Sequence, residues 1–206
     1  MVVVIDDDGD VRAALEGLFR SVGLAVAAFA SIPDWVEAGL ADRPGCMVLD
    51  VRLPGQSGLD LQDELARSNS GLPIIFISGH ADIAMSVRAM KAGAIEFLAK
   101  PVRDQELLDA VQHAIAHDRR RREAEQRLAK LRADYEDLTS RERQILSEVV
   151  TGRPNKQIAA ALGVTEATVK LHRGHVMQKL KARSLVELVR IADGLGLKVP
   201  PTSTKV

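Results

Sequence analysis

The chain has 206 residues, 46% of them hydrophobic and 3% aromatic, with 28 basic side chains balancing 28 acidic ones, which suits one large domain or two small ones with cores of Val, Leu, Ile and Ala. A single cysteine, Cys46, excludes a disulfide framework or a cysteine-based zinc site within one chain and fits a reducing compartment. Residues 1–5 run straight into Asp6 without a secretory leader's charged region, and no apolar stretch reaches the roughly 20 residues that span a bilayer, so a soluble, cytoplasmic protein with no membrane partner is expected.

In the N-terminal half, short apolar runs at 2–5, 25–29, 46–49, 74–77 and 95–98 read as strands. Segments 10–22, 31–41, 58–68, 83–92 and 104–117 space their apolar residues three and four apart, as helices do. Gly23 and Gly93 stand just past two of these helices, where a left-handed stop is cheap. Such βα repeats imply a parallel sheet with helices on both faces. Functional residues in such sheets gather beyond the carboxyl ends of the strands. Asp6 and Asp7 follow the first strand, Asp50 the third, Ser78 ends the fourth and Lys100 follows the fifth. One edge thus receives three carboxylates, a hydroxyl and an ammonium. Neighbouring carboxylates repel unless a cation joins them, and their hard oxygens suit Mg2+. Asp8 and Asp10 read as caps at the positive end of the first helix.

Ile5-Asp6-Asp7-Asp8, Asp50-Val51-Arg52-Leu53-Pro54-Gly55, Ser78-Gly79-His80 and Lys100-Pro101 follow in this order within residues 1–117. Together they resemble the receiver domain of two-component response regulators, a flavodoxin-like (βα)5 fold, and residues 84–100 are similar to its FixJ branch. The resemblance implies that Asp50 accepts a phosphoryl group from a phosphohistidine on a sensor histidine kinase. It implies that Asp7, Asp50 and the backbone carbonyl of Arg52 bind Mg2+ directly, with Asp6 acting mainly through water. Mg2+ and Lys100 would neutralise the equatorial phosphoryl oxygens. Ser78, where the family more often has Thr, would hydrogen-bond to the new phosphoryl group. Phe97 reads from its pattern as core, whereas the family places a switching aromatic there, and both readings stand. Lys100-Pro101 resembles the family's cis peptide bond. His80 and His113 stand without metal-spaced partners and read as surface or turn positions. FixJ-like receivers dimerise through the surface of 83–92, 95–98 and 104–117, so a homodimer on phosphorylation is expected.

The neutral total hides a division. Residues 1–117 carry 17 acidic and 9 basic side chains, a formal −8, and residues 118–206 carry 11 and 19, a formal +8. A basic half facing a polyanion fits this asymmetry, as do two ordinarily solvated surfaces. Residues 118–137 begin DRRRRE, lack Gly and Pro, and read as a helical linker extending the last receiver helix, with the Arg run either a solvated face, the default, or a contact to phosphates. Leu128, Leu131, Tyr135 and Leu138, spaced 3, 4 and 3 apart, make one narrow stripe. It serves either a short coiled coil with a second copy or packing against the chain's own domains.

Thr139 and Glu142 form a capping-box pattern opening a helix to about Thr151, with Gly152 beyond. A second short helix covers 155–162, Gly163 makes a turn, Thr165 caps a third helix reaching about Lys181, and Ser184 with Glu187 is a second capping-box pattern opening a fourth. Short helix, glycine turn and longer helix are the parts of a helix-turn-helix. The blocks LTSRERQIL from Leu138, NKQIAAALGVTEATVKLHRGHVMQKL from Asn155 and ARSLVELVR from Ala182 resemble the four-helix DNA-binding domain of NarL, FixJ and LuxR proteins. The expected domain is 138–196, with 197–206 a disordered tail.

In that resemblance the third helix enters the major groove. Val169, Val176 and Leu180 form its buried stripe, and His172 lies on or beside it as a packed residue or a base reader. Lys170 and Arg173 are expected at the bases, and Lys156, Thr165 and Thr168 at phosphates. Gly174 stands where relatives often carry a reading side chain, either admitting close backbone approach or simply tolerated. On the fourth helix, Leu185, Leu188 and Val189 are apolar, and Val186 would help complete a DNA-bound dimer. The whole is expected to be an α/β domain followed by an all-α one. It would act as a phosphorylation-activated transcription regulator on double-stranded promoter DNA, with RNA polymerase as a further partner. It would have no enzymatic activity beyond phosphorylation and dephosphorylation of Asp50. An aspartyl-phosphate hydrolase would use the same nucleophile, but its second acid two residues on is absent, since Asp50 is followed by Val51 and Arg52. A protein-only interaction module would not need the helix-turn-helix.

Overall fold

Four aliphatic residues in a row leave no face for water, and Val2–Ile5 is buried along its whole length as strand β1. In the computed structural model, which describes residues 1–68, 70–79 and 82–197, the chain divides into two units, Met1–Glu123 and Ala124–Val206. In chain order the first unit contains β1, α1 (Gly9–Ser21), β2 (Val26–Phe29), α2 (Ile32–Glu37), β3 (Cys46–Asp50), a small hairpin of β4 (Arg52–Leu53) and β5 (Gln56–Ser57), and α3 (Gly58–Arg67). Strand β6 (Ile74–Ser78), α4 (Ile83–Lys91), β7 (Glu96–Ala99) and α5 (Asp104–Glu136) follow. The five main strands form an all-parallel sheet of order β2-β1-β3-β6-β7. The hairpin was not foreseen, because two-residue strands have no readable period.

Strand side chains alternate between faces, and the two cores divide accordingly. Val3, Ile5, Met47, Leu49 and Phe76 pack with Trp35 of α2, Leu59 and Leu61 of α3 and Ala89 of α4. Val2, Val4, Val48, Ile75 and Ile77 pack with Phe19 of α1 and Leu107, Val111 and Ala114 of α5. Cys46 is fully buried, and desolvation pushes its thiol up to about 12, which keeps it protonated and inert.

Local capping corrects several expected bounds. Asp8 alone caps α1, accepting the Asp10 amide at 2.9 Å and that of Val11 at 3.3 Å, while Asp10 sits in the first turn. Helix α2 is shorter than 31–41, starting after the Ser31 cap and stopping before Gly39, whose φ is +64°. Helix α5 continues from Asp104 to Glu136, in keeping with the linker read as an extension of the last receiver helix, but the Arg run is not merely solvated. Asp118, 1% exposed, accepts the Gly45 amide at 2.9 Å, Arg121 at 2.6 Å and Arg122 at 2.8 Å.

The second unit holds the end of α5 and four helices: α6 (Ser140–Val149), α7 (Asn155–Leu162), α8 (Glu166–Lys179) and α9 (Leu185–Gly194). Leu138, Ile145, Leu146, Ile158, Val169, Val176, Leu180 and Leu188 are buried in one core, against which Tyr135 packs. Thr139 and Glu142 form both halves of the capping box. The second box is only half formed: Ser184 accepts the Glu187 amide at 3.2 Å, but the Glu187 carboxylate accepts the Arg183 amide at 2.8 Å, one residue early. Between α7 and α8, Gly163 has φ +64°, a conformation that side chains resist and this tight turn requires. Among the described residues no helix is long and apolar enough to cross a membrane. The expected tail lies outside the described residues apart from Leu197, which packs on the second core.

Candidate phosphoryl-acceptor site and nucleic-acid interface

Connections leave β1 and β3 toward opposite edges of the sheet, and a crevice opens between their carboxyl ends, where open α/β sheets hold their ligands. Ile5 is in register with Leu49, so Asp6 lies level with Asp50. Ser78 is in register with Ala99, which brings Lys100 to the same edge. The Lys100 ammonium donates to Asp6 Oδ2 at 2.6 Å and to Asp50 Oδ2 at 2.7 Å. Asp50 Oδ1 accepts the Arg52 amide at 3.0 Å, and Asp6 Oδ1 accepts that of Asp8 at 3.0 Å. Asp6, Asp50 and Ser78 are buried, Asp7 is exposed, and carboxylate oxygens of Asp6, Asp7 and Asp50 lie within 4.8 Å of one another.

One ammonium faces two buried carboxylates here, and the charges do not balance. Burial raises the Asp6 pKa above the usual range despite the Lys100 hydrogen bond, and the Asp50 carboxylate adds to the rise. Burial works against the Lys100 charge too, but its hydrogen bonds to Asp50 and Asp6 prevail and raise its pKa. A crowded set of hard oxygens short of positive charge, with Asp7 open to solvent, fits a divalent cation such as Mg2+.

The surroundings explain how this geometry is held. Lys100-Pro101 is cis, and the Lys100 amide donates to the Ser78 carbonyl at 2.8 Å. Arg12 donates to the Asp6 carbonyl at 2.7 Å. Phe97 is partly buried, its ring centroid 6.1 Å from that of Phe76. Gly58, read from sequence only as a helix start, lies against the site's floor: a Cβ there would stand 2.5 Å from the Asp50 carbonyl oxygen. His80 lies outside the described residues. His113 is exposed on α5, as is His117 four residues on.

In the second unit the α7–turn–α8 pair presents the expected basic residues. Lys156 and Lys170 are exposed. Arg173 is only partly so, since its guanidinium donates to Asn155 Oδ1 at 3.2 Å. The Thr165 hydroxyl caps α8, accepting the Thr168 amide at 3.2 Å and pairing with the Thr168 hydroxyl at 2.9 Å. Sequence reasoning missed Leu171, which is exposed on α8 beside Lys170. It also missed His175, which stands with Glu142 and His172 within 4.8 Å. Around Gly174 an added Cβ would meet nothing within 4 Å.

Comparison with known proteins matches both units. Residues 2–112 match the model described as "Response regulator receiver domain", and residues 136–192 match "Bacterial regulatory proteins, luxR family". Nodulation protein W of Bradyrhizobium diazoefficiens is 54% identical over 202 residues, covering 98% of this chain and 89% of that protein. The transcriptional regulatory protein FixJ of Rhizobium meliloti is 39% identical over 191 residues, covering 93% and 94%. The solved structure of the response regulator StyR has a TM-score of 0.86 at 46% identity, covering 93% of this chain and 97% of that one. The two matched regions span the sheet with its acidic crevice and the helix-turn-helix, and relatives align along nearly the whole chain. The chain therefore belongs to the two-component response regulators in which a receiver domain precedes a LuxR-type DNA-binding domain, and it is a transcription regulator of that family.

Proposed function

We propose that Asp50 is the phosphoryl acceptor and that its phosphorylation by a sensor histidine kinase switches the chain to a promoter-binding homodimer. The observation that carries this reading is the Lys100 ammonium at 2.7 Å from Asp50 beside the carboxylates of Asp6 and Asp7. A carboxylate oxygen of Asp50 attacks phosphorus as the P–N bond of the phosphohistidine breaks and its electron pair returns to the imidazole. Lys100 keeps its charge and turns it to the transferred oxygens, while Ser78, at the end of β6, donates to one of them. Asp7 and Asp50, with the Arg52 carbonyl, would hold Mg2+, and Asp6 would hold it through water; bound there, the ion neutralises the equatorial oxygens.

Phe97 then repacks, which alters the surface of α4, β7 and α5. Support comes from α4, where Ile83 is 83% exposed and Val87 and Met90 are exposed on a water-facing helix, a patch suited to a second copy. Paired DNA-binding domains add their binding energies on adjacent half-sites. Lys170 and Arg173 read bases, and Lys156, Thr165 and Thr168 hold phosphates. Val186, exposed on α9, completes the DNA-bound dimer. In functional terms the receiver ends near 117, the linker covers 118–137 and the DNA-binding domain covers 138–196. Kinase, promoter and RNA polymerase all meet such a protein in the cytoplasm, and it turns over no substrate beyond its own phosphoryl group. Acetyl phosphate with Mg2+ should add one phosphoryl group to the wild type and none to Asp50→Asn by intact mass. Equal uptake by both removes the proposed acceptor.

A further inference from the structure

We propose that Glu142, His172 and His175 form a second metal site, inside the DNA-binding unit, for a divalent transition ion of the Zn2+ type. His172 and His175 are three residues apart on α8 and so share one side of the helix. Glu142, in the first turn of α6, is buried beside them, and one ligand atom from each of the three lies within 4.8 Å of the others. Two imidazoles and a carboxylate are a donor set for borderline ions and a poor one for Mg2+.

Two further observations point to an ion. The Nδ1 of His172 is buried without a hydrogen-bond partner, which is costly for an imidazole nitrogen that nothing uses. The Glu142 carboxylate is divided: Oε2 accepts the Thr139 amide at 2.8 Å and the Lys179 ammonium at 2.7 Å, while Oε1 faces His175 Nδ1 at 3.6 Å, beyond hydrogen-bond length. The Lys179 charge is thus spent on one oxygen and the other is left to the histidines. Ligands about 2.0–2.1 Å from a tetrahedral zinc sit roughly 3.4 Å apart, and Glu142 Oε1 and His175 Nδ1, at 3.6 Å, stand near that spacing. The His175 side chain is 47% exposed, so it has room to adjust and solvent reaches this side of the cluster, from which water would complete the coordination. An ion held there would clamp the start of α6 to the middle of α8. Sequence offers no warning, because Glu142 is far from both histidines along the chain.

Co2+ added to the full chain, with excess Mg2+ to occupy the receiver, reports the site through its visible ligand-field bands. Wild type should bind saturably, Zn2+ should bleach the bands, and His175→Ala should weaken binding by at least about tenfold with an unchanged circular dichroism spectrum. Asp50→Asn and His117→Ala should bind as wild type does, which separates this site from the receiver crevice and from the exposed His113–His117 pair. Absence of saturable binding overturns the proposal. So does equal binding by wild type and His175→Ala, or loss confined to Asp50→Asn or His117→Ala.

Discussion

A single methyl group at residue 58 should disturb both the stability and the chemistry of the receiver. In Gly58→Ala the new Cβ would stand 2.5 Å from the Asp50 carbonyl oxygen and 3.0 and 3.2 Å from Leu49 Cγ and Cδ2. Backbone oxygen cannot rotate away as a flexible side chain does, so α3 must withdraw or the end of β3 must shift. Overpacking of this kind costs about 1–3 kcal/mol. Gly58 is the first residue of α3, where the helix-propensity gain of alanine offsets little of that. For a domain of this size the melting temperature of the receiver should fall by roughly 4–12 °C, as read by calorimetry on the whole chain. Asp50 hangs on the same backbone, and its carboxylate is held by the Lys100 ammonium at 2.7 Å and the Arg52 amide at 3.0 Å. Displacement by a few tenths of an ångström should slow modification by acetyl phosphate roughly tenfold, since loss of alignment is expensive in phosphoryl transfer. Unchanged melting together with an unchanged rate would refute the close approach and its role in positioning Asp50.

Gly174→Ala is the opposite case: its surroundings are open, so the variant should gain about 1 kcal/mol in thermal or denaturant unfolding. Its affinity for DNA in an anisotropy titration should be unchanged, and a marked loss would mean that the glycine admits the duplex backbone. Asp118→Asn should cost about 3 kcal/mol in denaturant unfolding, because two guanidiniums lose a buried counter-ion. Burial opposes ionisation of Asp118, yet the bonds from Arg121, Gly45 and Arg122 prevail and its pKa is lowered. The stabilisation is therefore complete above the unfolded value of about 3.9 and fades as pH falls through the folded one, so wild type should lose its advantage over Asp118→Asn below about pH 4. Parallel pH profiles would contradict this assignment. Lys170→Ala should weaken binding to a selected operator more than to random duplex, whereas Lys156→Ala should weaken both alike and flatten the salt dependence. Identical behaviour of the two variants would erase the distinction between base and phosphate contacts.

Much of this protein is legible one element at a time. Uninterrupted aliphatic runs such as 2–5 and 74–77 announce buried strands, and side chains such as Asp8, Thr139 and Thr165 announce helix starts, because each signal acts within a few residues of its cause. The charged residues at the carboxyl ends of β1, β3 and β7 could be assigned to one sheet edge for the same reason: parallel βα repeats leave a single edge for every carboxyl end. Even the neutral total charge resolves into an acidic receiver and a basic DNA-binding half once the motifs mark the division.

What tertiary structure decided depends on groups that chain position keeps apart. DRRRRE reads as a solvated helix face, but Asp118 is buried because its partners include the amide of Gly45, 73 residues away. Ser184 and Glu187 show the pattern of a reciprocal box, yet only the folded backbone sets which amide the glutamate reaches. Gly58 looks like an ordinary helix start until strand register brings the Asp50 carbonyl against it. The cluster of Glu142, His172 and His175 joins two helices with no shared motif. Local periodicity encodes which elements form, because backbone geometry repeats over three or four residues. Which side chains meet across elements is set by register and packing among distant segments, and no window along the chain contains that information.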